Sequence, residues 1–117
     1  MQTIEQALNK LQQSEFRRKF HLTSKDKQYI TKRGMVNIQK DAELFVENRL
    51  ADAYPKNDGK QTPFRGHPIF VAQHATACCC RKCLEKWYKV PRGVKISAER
   101  QEKIVRLLMA WIEKEMK

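Results

Sequence analysis

Long apolar runs are missing from this 117-residue chain. None approaches the roughly 20 residues that a membrane-spanning helix requires, which excludes a span of that kind. The start, Met-Gln-Thr-Ile-Glu-Gln, lacks the basic and apolar segments of a secretory signal, so a cytosolic protein is expected. Glycine is scarce, with four residues, and none builds a glycine-rich phosphate loop. No Ser-His-Asp order signal, no carboxylate cluster suited to magnesium, no internal repeat and no low-complexity segment is present. All four cysteines fall at positions 78–83. A group so closely spaced cannot staple distant elements, which excludes a disulfide framework.

Acidic residues are also in deficit. Thirteen Asp and Glu face twenty-four Lys and Arg, for a formal charge of +11 and a pI near 9.8. Such a balance is typical of proteins that meet polyanions. The basic residues also cluster: Arg81, Lys82, Lys86, Lys89, Arg92 and Lys95 follow Cys78, with Glu85 as the one acid among them.

Residues 1–117 form one domain by size. A chain of this length buries roughly two thirds of its unfolded surface and needs no metal merely to fold. Ile4, Ala7, Leu8, Leu11, Phe16 and Phe20 recur at helical spacing over 2–20, with Gln12–Glu15 either continuing or interrupting the helix. Arg17-Arg18-Lys19 is expected as a basic strip on its outer side. Thr23-Ser24 caps a helix over Lys25–Lys32, ended by Arg33-Gly34. Ile38, Ala42, Phe45, Val46 and Leu50 mark a helix from Met35 to Ala53, which stops before Tyr54-Pro55. Residues 56–66 read as a long irregular basic loop carrying Lys56, Lys60 and Arg65, and such loops are usually functional. Pro68 opens a short helix toward Ala77, with a strand at Ile69–Ala72 as the alternative. A further helix runs from Cys80 to Tyr88, and Ser97 caps a last one from Ala98 to Met116. The fold class is all-α, five to six helices around one core.

Cys80-Arg-Lys-Cys83 is a C-x2-C pair, the spacing that brings two thiolates to one zinc ion. A closed zinc site needs four ligands, so His67, His74 and Cys79 compete to complete it. Cys79 lies one helical turn before Cys83. The alternatives are plain packing of the cysteines and histidines, and a redox pair whose thiolate is favoured by neighbouring Arg81 and Lys82. His21 and Trp111 read as structural. Trp87 either packs the motif onto the core or stacks on a nucleobase.

Asn57-Asp58-Gly59-Lys60-Gln61-Thr62-Pro63, Arg65-Gly66-His67-Pro68, Val71–Thr76, Cys79-Cys80-Arg81 and Cys83–Trp87 together resemble a bacterial and phage family catalogued as domain of unknown function 4186. The late positions Ile104-Val105 and Met109–Ile112 extend the likeness. The resemblance implies no particular activity. It implies that His67, His74, Cys79, Cys80 and Cys83 belong to a shared pattern. It also implies that Cys78 stands at a threonine-like position, and that Tyr88 stands where a histidine is expected; Asp41 is a similar departure.

The leading expectation is a zinc-binding protein that docks on nucleic acid through Lys60, Arg65, Arg81, Lys82, Lys86, Trp87, Lys89 and Arg92. The first alternative is a metal-dependent enzyme with an open zinc position, Asp58 and Glu85 being the nearest carboxylates in sequence. The second is a phage or host accessory protein whose charge meets an acidic protein partner.

Overall fold

The computed structural model describes residues 2–57 and 59–117. Seven α-helices are present among them, and no strand: α1 (Ile4–Gln12), α2 (Glu15–Arg18), α3 (Ser24–Arg33), α4 (Met35–Phe45), α5 (Pro68–Ala75), α6 (Arg81–Tyr88) and α7 (Ala98–Met116). The all-α expectation holds. The count exceeds five to six because the first amphipathic stretch breaks at Gln13, after which the Ser14 hydroxyl caps a new four-residue helix. α4 continues into a π-helical turn over Val46–Leu50. The segment at Ile69–Ala72 is helical, as proline at the first helical position anticipates. No described helix is long and apolar enough to cross a membrane.

Helix starts follow side-chain chemistry. Thr3 and Thr23 form reciprocal capping boxes with Gln6 and Asp26, and Ser97 caps α7. α7 is the spine, packing against α1, α4, α5 and the π turn. Its stripe of Ile104, Leu108 and Ile112 meets Ile38, Ala42 and Val46 of the α4 run and Ile69 and Ala72 of α5 in one apolar core. Burying each large aliphatic side chain contributes about 1.5–3 kcal/mol.

Two polar anchors set the geometry around that core. His67 caps α5: its Nδ1 accepts from the Ile69 N–H at 3.0 Å, so Nε2 carries the proton and donates to Asp41 Oδ2 at 2.9 Å. Asp41 also takes both prongs of Arg33, each at 2.6 Å. That triad ties α3, α4 and the start of α5 together. The Arg33 hydrogen bond holds the Asp41 carboxyl below its ordinary range against the opposing effect of burial, and His67 adds to the lowering.

Arg81 is the second anchor, and it corrects the sequence-based expectation. Only 1% of it is exposed. Its guanidinium donates to the carbonyls of Asp52, Pro91 and Val94 at 2.5, 2.6 and 2.7 Å, and to Leu50 and Ala51 at 3.3 and 3.5 Å. The Leu50 and Ala51 carbonyls end the α4 run, where backbone dipoles favour a cation. Arg81 therefore fastens the first turn of α6 to two loops, with its guanidinium turned inward.

Candidate metal centre

Cys80 and Cys83 reach one another because α6 begins between them. Cys80 is the N-cap, and its sulfur accepts from the Cys83 N–H at 3.4 Å. Cys79 joins from the bend just before α6, its Sγ lying 3.6 Å from that of Cys83. The Sγ atoms of Cys79, Cys80 and Cys83 all lie within 4.8 Å of one another, a group that can hold a metal ion. Cys79 and Cys80 are buried and Cys83 is half-buried.

A fourth member of the site escaped the sequence. Arg17, 9% exposed, turns inward from α2 and donates from Nη2 to Cys83 Sγ at 3.3 Å and from Nη1 to Cys79 Sγ at 3.7 Å. Nη1 also donates to the His74 carbonyl at 2.7 Å. Burial works against the Arg17 charge, but the hydrogen bonds to Cys79 and Cys83 outweigh it and raise its pKa. Nothing local distinguishes Arg17 from Arg18 and Lys19. The break at Ser14, which resets the helical phase, is the only sequence signal.

The thiols divide by surroundings. Hydrogen bonds from Cys79 and then Cys80, with Arg17 after them, pull Cys83 down to about 5 in spite of burial. Its bond to Cys83, followed by burial, pushes Cys79 up, and burial pushes Cys80 up. The surroundings thus favour the thiolate at Cys83, which lies beneath a guanidinium at the N-terminus of α6. Cys78 stands apart: it is wholly buried, its Sγ donates to the Thr76 carbonyl at 3.5 Å, and burial lifts it to about 12.

The two histidines lie outside the sulfur group. His67 has both ring nitrogens occupied by Ile69 and Asp41, so its imidazole has no lone pair for a metal. His74 is closer to the site, but Nε2 donates to the Thr62 carbonyl at 3.1 Å and its ring stacks on Phe64 at 4.0 Å. Burial, above all, keeps it neutral. The expected histidine completion of a four-ligand site is therefore not assembled; three cysteines are.

The expected basic residues surround this centre unevenly. Lys82, Lys86 and Lys89 on and after α6, Arg92 beyond it, and Lys60 and Arg65 on the loop are exposed. Trp87 is half-buried one turn after Cys83, with the Arg17 guanidinium 6.0 Å and Lys10 Nζ 5.9 Å from its ring. Thr62 donates its hydroxyl to the Cys79 carbonyl at 2.8 Å, which lashes the loop to the cysteine turn. Of the two carboxylates considered for catalysis, Glu85 is exposed on α6, and Asp58 lies outside the described residues.

No solved structure matches the chain. A family model does, over residues 5–113, and the chain belongs to that family, described as a domain of unknown function (DUF4186).

Proposed function

We propose that Cys79, Cys80 and Cys83 bind one soft metal ion, zinc in the first instance, and that the centre steadies a basic face for nucleic acid. The observation that carries the reading is the convergence of three sulfurs within 4.8 Å. Thiolates are the ligands zinc prefers, and three of them around a divalent ion leave one excess negative charge. Arg17, donating to two of the sulfurs, supplies the compensating cation. A fourth coordination position would go to a small exogenous ligand such as water.

The metal would fix the Cys79 turn against α6, and through Thr62 the basic loop as well. Lys60, Arg65, Lys82, Lys86, Lys89 and Arg92 would then present charge to phosphates, with Arg81 serving as the internal anchor. The net charge of +11 supports this half of the reading. A second reading, metal-dependent catalysis, is favoured by the ligand count alone: three protein ligands are the number that leaves a position open for water.

Elemental analysis of the untagged, reduced protein tests the metal. We expect near one zinc per chain, lost in Cys80→Ser and Cys83→Ser and kept in His67→Ala and His74→Ala. Wild-type protein without metal would end the zinc reading and return the thiols to packing or redox roles. Cobalt substitution tests the open position that both readings share: its absorption should change on adding cyanide or azide, and an unchanged spectrum would leave the catalytic reading without a place for water.

A further inference from the structure

Exposed aromatic rings gather beside the cysteine turn. Phe16 is 45% and Phe64 60% exposed. Phe64 lies nearly parallel to Phe20, at 6.3 Å and 15°, and Phe20 meets Phe16 edge-on at 5.3 Å. Arg17 continues the row, 4.9 Å from the Phe16 ring and 6.0 Å from Trp87. Phe16 of α2, Phe20 just after it and Phe64 of the loop thus form one row, and Trp87 of α6 is reached from it through the buried Arg17. Contiguous exposed apolar surface of this kind marks an interaction site.

We propose that this row is a stacking platform for single-stranded nucleic acid, with Phe64 as its leading ring. The proposal rests on the nucleic-acid reading above and narrows it to unpaired strands. His74 lies against one face of Phe64 at 4.0 Å and 9°, and Phe64 is 60% exposed, so a base can reach it. A base placed there would extend a pile that His74 already holds in register. The Thr62 bonds to Cys79 and His74 keep the segment bearing Phe64 in place. Cations stand where a backbone would run. Lys19 Nζ is 4.5 Å from the Phe16 ring and 5.7 Å from Phe20, and Lys60 and Arg65 flank Phe64 in sequence.

The alternation decides the class of partner. Phosphates need the cations, and base faces need the rings, but a duplex hides its base faces in the stack. Single strands offer both. An acidic protein would use the lysines and gain little from an open aromatic face.

The test is fluorescence anisotropy with a labelled single-stranded oligonucleotide, the matching duplex and polyglutamate. Wild type, Phe64→Ala, Phe16→Ala and Phe64→Trp are compared, with thermal melting as the fold control. We expect Phe64→Ala to weaken single-strand binding about tenfold or more, with duplex binding unchanged. Phe64→Trp should restore affinity, and its emission should be quenched by the oligonucleotide. Wild-type affinity for the single strand in Phe64→Ala, or equal losses on both nucleic acids, would overturn the platform and leave the nucleic-acid reading standing. Tight, Phe64-dependent binding of polyglutamate would reassign the surface to an acidic protein. No binding of either nucleic acid by wild type would overturn both readings.

Discussion

Arg17 and Cys83, 66 residues apart in the chain, meet through a guanidinium-to-sulfur hydrogen bond of 3.3 Å. The contact joins the N-terminal helices to the cysteine turn and places a fixed positive charge where thiolates gather. Partners of this kind orient ligands and tune their basicity, and losing one typically costs 10–100-fold in metal affinity. If the trio binds zinc as proposed, Arg17→Gln should weaken that binding by about the same factor in competition with a chromophoric chelator. Arg17→Lys should fall between, since lysine keeps the charge and loses the planar fork. Wild-type affinity in Arg17→Gln would show that the arginine only supports the fold through the His74 carbonyl.

Arg81 offers a contrasting expectation. Its removal leaves several carbonyls in the 50–52 and 91–94 segments without their donor. An abandoned acceptor costs about 1–3 kcal/mol where it is buried, as at Leu50, and less at the part-buried carbonyls of Asp52, Pro91 and Val94. Arg81→Met should lower stability by about 3 kcal/mol or more in urea unfolding, while a sample kept folded binds polyanions as before. A loss of polyanion affinity with stability intact would contradict its role as an anchor.

These two arginines show where sequence reasoning stops. The last helix was legible because the Ser97 cap and the spacing of Ile104, Leu108 and Ile112 are local signals, and the structure buries that stripe. The cysteine trio was legible for the same reason, since Cys79, Cys80 and Cys83 share a single turn. Arg81 looked like one more member of a basic run. What buries it are carbonyls 29 to 31 residues upstream and 10 to 13 downstream, and no local pattern announces them. His67 was read correctly as the start of α5, but its ring partner, Asp41, lies 26 residues earlier. The histidine thus drew attention as a ligand while serving as a cap.

Asp41 links that cap to acid stability. Its carboxyl is held below the ordinary 3.8, first by Arg33 and also by His67. A group whose folded pKa is depressed contributes stability that is full above the unfolded value and is lost as pH falls through the folded one. The wild type should therefore lose stability in the window below about pH 4, and Asp41→Asn should flatten that part of the profile while being less stable at neutral pH. Thermal melts between acid and neutral pH check this. Parallel wild-type and variant profiles would remove Asp41 from the acid transition.

Salt dependence separates the surface lysines from the buried arginine. If Lys82 and Lys86 neutralise phosphates, each releases counterions on binding, and the affinity falls linearly on logarithmic axes as salt rises. Replacing either by Gln should reduce the slope by about 0.7–1 and weaken all sequences alike. Lys40, exposed on α4, serves as the comparison, and Lys40→Gln should leave the slope unchanged. Equal slopes for wild type and the Lys82 and Lys86 variants would mean that α6 faces solvent in the complex. Reduced slopes in all three would mean that the charge acts as a diffuse field without a defined face. Only a loss confined to Lys82 and Lys86 places the nucleic-acid backbone alongside the three sulfurs.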